Sequence, residues 1–344
     1  MRRFVKKPVN LADVAKKAGV SLTTVSRVLN EGQYIKNSTR ARVLRVMKEM
    51  KYYPNLHARS LARRRSRTIG VILSNLDNPF FVDVFRTIET LAHEKGYEVV
   101  VASTHFDVAR LHASIKSMIG LRVAGIATIV SEMEPSVVEE LSNVEIPVVF
   151  YDAWVTNKNA MNIKVNCKKG TQQLVEYLHS LGHRRMAFIA YPLRLQSTEE
   201  RRAAFLETMG HYSAPAHIVL PTSDGFFAGR DATRELLRSG FGPTAILCVN
   251  DITAVGVLKE LRDQGISVPK QMSVAGFDNI SLAQFTNPSL TTIHIPRDQI
   301  GQLVFEALVS ARSGGPAHGK EILIEPELIV RQSTGPRYSV HSDA

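Results

Sequence analysis

The twenty residues 11–30, LADVAKKAGVSLTTVSRVLN, constrain the fold more than any other stretch of this chain. Apolar residues recur at helical spacing on both sides of the sequence AGVS. Gly19 can adopt the left-handed conformation that ends one helix, and Ser21 is a good N-cap for the next. Because so tight a turn makes two helices cross closely, the seam needs a small residue at Ala15 and an apolar one at Val25. The spacing therefore predicts a helix-turn-helix.

The positive charge of the chain is concentrated around this motif. Residues 1–67 contain 18 Lys and Arg but only 3 Asp and Glu, whereas the remaining residues contain 25 and 29. A solvated basic tail would lack the apolar periodicity seen here, so we interpret residues 1–53 as a folded nucleic-acid-binding module. The second helix of such a module enters the major groove of DNA. Its outward side chains, which we predict to contact bases or phosphates, are Leu22, Thr23, Ser26 and Arg27. A third helix, capped near Ser38 or Thr39, completes the module.

The sequence of residues 54–67 predicts a hinge helix and a linker. The sequence PNLHARSLA places Asn55 where it can cap a short helix, and basic residues such as Arg59 follow. A helix so short and so basic is marginal alone, so we expect it to order on DNA phosphates and to be a flexible tether otherwise.

From residue 68 onward, short β-branched runs alternate with amphipathic helices. This alternation predicts parallel sheets covered by helices on both faces, and the number of units indicates two doubly wound lobes. The predicted fold class is therefore α/β, with an N-terminal helix-turn-helix head and a two-lobed body at residues 68–334. Residues 335–344 are expected to form a flexible tail.

Polar residues follow several predicted strands of the body. Asp152 follows PVVFY, Asn250 follows AILCV, Asp278 follows SVAGF, and Arg201 lies on the helix after MAFIA. Ligands of such sheets bind beyond the carboxyl ends of the strands. Two carboxylates, an amide and a guanidinium in a cleft suit a hydroxylated small molecule. Asp278, and Asp251 beside Asn250, could instead cap the segments that follow them.

These stretches resemble the lactose-repressor (LacI/GalR) family of bacterial transcription regulators in order and spacing, from about residue 9 to about residue 334. Besides residues 11–30, the resemblance rests on YYPNLHARSLA, SRTIGVILSNLDNPFF, LGHRRMAFIA, VNDITAVGVLKELRDQGISVPKQMSVAGFDN and SLTTIHIP. It implies a homodimer on double-stranded operator DNA, with paired hinge helices in the minor groove and Leu61 inserted between base pairs.

The resemblance also implies a body like that of periplasmic sugar-binding proteins. An N-lobe would span about 68–164 and 294–324, and a C-lobe about 165–293 and 325–334. Effector contacts carried over to matching positions are Phe80, Phe81, Asp152, Arg201, Phe226 (or Phe227), Asn250 and Asp278. The chain departs from the family at Ala190–Tyr191, where relatives tend to have glycines, so a tyrosine there would narrow the pocket.

The function predicted from these observations is a DNA-binding transcription regulator controlled by a sugar, sugar derivative or nucleoside-like effector. A repressor is the favoured form, and an activator is the alternative. An enzyme with an accessory DNA-binding head is the alternative, but no activated nucleophile, metal set or dinucleotide fingerprint appears. We expect no cofactor and no membrane partner, and the two cysteines favour the reducing cytoplasm.

His179 and His183 are interpreted as surface or packing residues, and the sequence GGPAHGKE is interpreted as a turn. A partner protein could modulate the regulator as well.

Overall fold

A computed structural model describes residues 9–29, 35–53, 66–153, 160–193, 195–312 and 321–337. The chain divides into two compact units, Met1–Ser66 and Arg67–Ala344. The first unit is helical and the second is built from two sheets with helices, which confirms the predicted fold class. The predicted hinge helix, most of GGPAHGKE and most of the predicted tail lie outside the described residues.

Three helices form the first unit: α1 (Leu11–Ala18), α2 (Leu22–Leu29) and α3 (Asn37–Glu49). Gly19 ends α1 with a φ of 61°, as the sequence predicts. The Ser21 hydroxyl caps α2 by accepting the Thr24 backbone N–H at 3.1 Å. Ala15 and Val25 are buried in the shared core of the three helices. The predicted helix-turn-helix is therefore formed by the residues that its spacing requires.

The predicted cap of α3 at Ser38 or Thr39 is wrong. The helix begins at Asn37, and Lys36 occupies the N-cap position without a side-chain hydrogen bond. Backbone geometry explains the earlier start, because the N–H groups of Thr39 and Arg40 both donate to the Lys36 carbonyl, at 2.9 and 3.0 Å. The first turn is thus closed by the main chain alone.

One six-stranded parallel sheet forms the core of the N-lobe, in the order β11-β5-β4-β3-β1-β2. Its strands are β1 (Thr68–Leu73), β2 (Glu98–Ser103), β3 (Ile126–Ile129), β4 (Val148–Tyr151), β5 (Ala160–Val165) and β11 (Glu321–Ile324). The helices that pack with it are α4 (Pro79–Glu94), α5 (Val108–Gly120), α6 (Pro135–Ser142) and α11 (Arg297–Arg312).

A second six-stranded sheet forms the core of the C-lobe, in the order β12-β10-β9-β8-β6-β7. Its strands are β6 (Met186–Ile189), β7 (Ala216–Val219), β8 (Ala245–Cys248), β9 (Ser273–Asp278), β10 (Thr291–His294) and β12 (Glu327–Ile329). Only β12, at the edge, runs antiparallel to its neighbour. The accompanying helices are α7 (Cys167–Ser180), α8 (Gln196–His211), α9 (Gly225–Arg238) and α10 (Asp251–Asp263).

The chain crosses between the two sheets three times, after β5, after β10 and after β11. Because all strands except β12 are parallel to their neighbours, their carboxyl ends share one edge of each sheet. The residues predicted to bind a ligand lie at those strand ends or in the first two turns of the helices that follow them. Across the described ranges, no helix combines the length and apolar character needed to cross a membrane.

Candidate ligand cavity and DNA-binding helix

A cavity of about 260 Å³ lies at the carboxyl edges of the two sheets and is lined by residues of both lobes. Six of the seven residues predicted to contact an effector line it: Phe80, Phe81, Arg201, Phe226, Asn250 and Asp278. Asp152 does not line it, although it interacts with Arg201. The strand-end rule thus accounts for Asn250 and Asp278, whereas Phe80, Phe81 and Phe226 were predicted from the family resemblance.

The N-lobe wall of the cavity is built by the first turn of α4. Asn78 caps this helix by accepting the Phe80 backbone N–H at 3.0 Å, and Pro79 occupies the first turn, where no N–H is needed. The cap fixes the rings of Phe80 and Phe81 edge to face, with centroids 5.3 Å apart. Tyr151, at the end of β4, packs on Phe80 with centroids 5.8 Å apart. This wall offers aromatic surface to a ligand.

Arg201 on α8 is the central cation of the cavity and is only 8% exposed. Its Nη1 donates to the Val249 carbonyl at 2.6 Å and lies 3.7 Å from Asp278 Oδ1. Its guanidinium carbon lies 3.9 Å from the centroid of the Phe277 ring, within cation–π distance. Arg201 is thus held in place by charge, hydrogen bonding and stacking together.

Two carboxylates flank this guanidinium. Burial raises the pKa of Asp278 to about 6, against the opposing charges of Arg201 and Arg297 and a hydrogen bond with Asn78. Burial likewise raises the pKa of Asp152 to about 6, against the Arg201 charge and a hydrogen bond with Ser197. Each carboxylate therefore interacts with a side chain of the opposite lobe.

Both acids also have unfavourable backbone conformations. The φ angle is 56° at Asp152 and 109° at Asp278, in the region that non-glycine residues rarely adopt. Such strain persists only where the surroundings enforce it, and it concentrates at functional sites. The strained backbone at these two strand ends thus marks the same candidate site as the two carboxylates do.

Asn250 and Asp251 have separate roles at the start of α10. Asn250 caps the helix by accepting the Thr253 N–H at 2.9 Å and also lines the cavity. Asp251 is fully buried and accepts the Ile280 N–H at 2.8 Å and the Thr292 hydroxyl at 2.5 Å. Asp251 is therefore a buried structural residue, but the alternative that it caps the following helix is wrong, because Asn250 occupies the N-cap position. Asp278, by contrast, caps no described helix.

Among the lining residues that were not predicted as contacts, Phe106, Tyr191 and Asp224 form one connected group. Phe106, in the loop after β2, places its ring 5.5 Å from that of Tyr191, in the loop after β6. The Tyr191 hydroxyl donates to Asp224 Oδ2 at 3.4 Å. All three lie in loops, where no periodicity marks them. The only available signal was the departure from the family pattern at Tyr191, which pointed to the pocket but not to these partners.

The predicted DNA contacts divide between a described and an undescribed segment. On α2, Thr23 and Arg27 are exposed, Leu22 is 52% exposed, and Ser26 is half-buried, while the opposite face of the helix is buried in the core. The outward face of α2 is thus exposed, as entry of this helix into a DNA groove requires. The remaining predicted contacts lie outside the described residues: Asn55, Arg59 and Leu61.

His179 and His183, predicted to be surface or packing residues, both make packing contacts. His183 Nδ1 and Nε2 lie 3.0 Å from the Thr244 hydroxyl oxygen and the Gly335 carbonyl oxygen, and His179 stacks on Tyr212. Among the described residues, no cluster of three His, Cys, Asp or Glu side chains could hold a metal ion.

Comparison with known proteins places this geometry in a family. Residues 10–55 match the family described as bacterial regulatory proteins, lacI family, and residues 175–334 match the periplasmic binding protein-like domain. The chain is 31% identical over 332 residues to the ribose operon repressor of Escherichia coli K12, covering 94% of this chain and 99% of that protein. The chain belongs to the lacI family. This lacI-family protein is also 32% identical over 329 residues to the regulator DegA of Bacillus subtilis, covering 94% and 97%.

Solved structures of the lacI family agree in fold. The lac repressor dimer bound to operator and the anti-inducer ONPF superposes with a TM-score of 0.82 at 29% identity, covering 96% of this chain and all of that one. A LacI-family regulator from Silicibacter pomeroyi superposes with a TM-score of 0.85 at 26% identity, covering 95% and 99%. The family consists of DNA-binding transcription regulators rather than enzymes, and this confirms the predicted functional class.

Proposed function

We propose that this lacI-family regulator represses transcription by binding an operator as a homodimer, and that a small hydroxylated ligand between the two lobes controls its operator affinity. The observation that carries the proposal is the cavity itself. It lies at the carboxyl edges of two sheets, where ligands of doubly wound folds bind, and both lobes contribute polar and aromatic side chains to it.

The DNA part of the proposal rests on α2 and on the hinge segment. The outward residues Leu22, Thr23 and Arg27 are exposed on one face of a helix whose other face is fixed in a core. One such module covers a single half-site, so a pseudo-palindromic operator requires a second copy of the chain. Asn55, Arg59 and Leu61 are the hinge residues that we assign to minor-groove binding.

An exposed apolar patch on the C-lobe supports the homodimer. Phe227 and Phe285 are 62% and 75% exposed, and both line a groove with Val255 and Leu258 of α10. Large aromatic rings exposed together in a groove are typical of protein–protein interfaces. We assign this groove to the second copy of the chain.

The chemistry of the cavity favours a ligand that carries several hydroxyl groups. The carboxylates of Asp224 and Asp278 accept hydrogen bonds, and the Asn250 amide donates. The rings of Phe80 and Phe81 can pack on the apolar face of a sugar or a base. Such a ligand and operator DNA are both found in the cytoplasm, where we expect the regulator to act.

The test is to identify the ligand and then measure its effect on DNA binding. Mass spectrometry of the small molecules retained by purified protein should find a hydroxylated compound of sugar or nucleoside size. Adding that compound should change the affinity for operator DNA by at least fivefold, the lower end of typical coupling between sites. An unchanged operator affinity, or turnover of the compound into a product, would overturn the proposal. A response only to an added protein would assign control to a partner instead.

A further inference from the structure

The aromatic contact between Phe106 and Tyr191 joins the two lobes at the ligand cavity. Phe106 belongs to the N-lobe and Tyr191 to the C-lobe, and their ring centroids are 5.5 Å apart. Both side chains line the cavity, and Tyr191 is only 8% exposed. The tyrosine ring therefore fills space that a glycine at this position would leave open to a ligand.

The hydroxyl group of Tyr191 fixes a carboxylate in the same wall. It donates to Asp224 Oδ2 at 3.4 Å. Burial, followed by the charge of Asp224, raises the pKa of the Tyr191 phenol, so the phenol keeps its proton and acts as the donor. Asp224 precedes α9, but its side chain caps no N–H group of that helix. Its remaining acceptor positions are available to hydroxyl or ammonium groups of a ligand.

The charges around the cavity disfavour an anionic ligand. Among the described lining residues, the carboxyl groups belong to Asp77, Asp224 and Asp278, and the only cation is Arg201. Arg201 already donates to the Val249 carbonyl and is close to Asp278. A phosphate or carboxylate group on a ligand would thus meet a surplus of negative charge in a partly dehydrated site.

We propose that Tyr191 and Asp224 restrict the cavity to uncharged or cationic ligands with a single ring, and exclude phosphorylated sugars and disaccharides. The ring of Tyr191 sets the size limit, and the carboxylate of Asp224 sets the charge limit. The volume of about 260 Å³ agrees, because pockets for drug-sized ligands span roughly 300–1,000 Å³. The inference rests on the proposed function, since it concerns the ligand of the same cavity.

Three matched pairs of probes test the two limits, with affinities measured by calorimetry on the full chain. Two pairs test charge: D-ribose with D-ribose 5-phosphate, and D-glucose with D-glucose 6-phosphate. The size pair is D-glucose with cellobiose. The wild-type protein should bind at least one free monosaccharide and bind its phosphate or disaccharide counterpart at least tenfold more weakly.

Three variants assign these limits to residues. Asp224→Asn should shift the ratio of phosphate to free-sugar affinity at least tenfold toward the phosphate. Tyr191→Gly should shift the ratio of disaccharide to monosaccharide affinity by the same factor. Tyr191→Phe, which keeps the ring and loses the hydroxyl, should retain the size limit. It also remains informative if the glycine variant fails to fold.

Three results would overturn the inference. Wild-type protein that prefers a phosphorylated sugar or a disaccharide contradicts it while leaving the proposed function intact. Unchanged affinity ratios in Asp224→Asn and Tyr191→Gly show that other residues set the limits. If no probe and no retained molecule binds any of the proteins, the proposed function and this inference both fail.

Discussion

The DNA-binding helix and the ligand cavity place their functional residues in opposite ways. On α2, Val25 is buried while Thr23 and Arg27 are exposed, so residues that hold the fold and residues that we predict to contact DNA occupy different faces. In the cavity, Arg201 and Asp278 are buried and also belong to the lining that we propose to bind the ligand. Substitutions on the outward face of α2 should therefore change binding alone, whereas substitutions in the cavity should change binding and stability together.

The largest effect is expected from Arg201→Ala. Removing this guanidinium leaves the carboxylate of Asp278 buried without its partner, which typically costs about 3 kcal/mol or more. The free energy of unfolding of the α/β unit should fall by that amount, and ligand affinity should fall with it. Chemical denaturation checks the first effect and calorimetry the second.

Arg202→Ala is the matched control for that variant. Arg202 follows on the same helix, but its side chain is 34% exposed and pairs with Glu199 one turn away. Such a pair contributes about 0.5 kcal/mol. Equal losses in the two variants would show that the position of Arg201 in the cavity has no special importance.

Ala15→Leu should produce the next largest effect, and in the other region. Ala15 is 6% exposed in the core of the three-helix unit. A leucine there overpacks the seam between α1 and α2, at a cost of about 1–3 kcal/mol. Operator binding should weaken while ligand affinity stays at the wild-type value. A loss of ligand affinity would contradict the division of the chain into two separate units.

Arg27→Ala should lower the affinity for DNA without changing the stability of the fold. Arg27 is exposed on α2, whereas Val25 and Val28 are the buried residues of that helix. Losing a base or phosphate contact typically weakens DNA binding by about 1–3 kcal/mol. Thermal unfolding should be unchanged. A lowered melting temperature with intact operator affinity would show that Arg27 stabilises the fold and does not contact DNA.

The smallest expected effect is a change in the pH dependence of stability, which Asp278→Asn tests in addition to the overall loss of stability expected when Arg201 loses its paired carboxylate. Because burial raises the pKa of Asp278 to about 6, the folded state binds more protons than the unfolded state between about pH 4 and pH 6. This group therefore stabilises the folded state as the pH falls from 7 to 5, by about 1 kcal/mol. Asp278→Asn should remove that part of the pH dependence. Denaturation curves of both proteins at pH 5 and pH 7 check this. If the free energy of unfolding changes by the same amount in both proteins, Asp278 is not the group responsible.

Sequence reasoning succeeded where one local rule decides the outcome. The turn at Gly19 and the cap at Ser21 follow from backbone conformation and hydrogen bonding, and the strand-end rule brought Asn250 and Asp278 to one cavity. It was less informative where several distant segments meet. The contacts of Tyr191 with Phe106 and Asp224 join loops far apart in sequence, so neither spacing nor propensity predicts them.

The start of α3 shows a different limit of sequence reasoning. Ser38 and Thr39 are good capping residues, yet the helix begins before them because backbone hydrogen bonds to Lys36 close its first turn. The preference of Ser and Thr for the N-cap position contributes little free energy, so main-chain hydrogen bonds can override it. The role of Asp251 shows the same limit, since only the packed structure reveals its bonds to Ile280 and Thr292.

The most direct test of the central claim is thermodynamic reciprocity between the cavity and the DNA-binding unit. Operator affinity is measured with and without saturating ligand, and ligand affinity is measured with and without saturating operator. If one bistable body links the two sites, both ratios must be equal and must differ from one. We predict equal ratios of at least fivefold in the wild-type protein. Ligand that binds equally well with and without operator, and leaves operator affinity unchanged, would contradict the account.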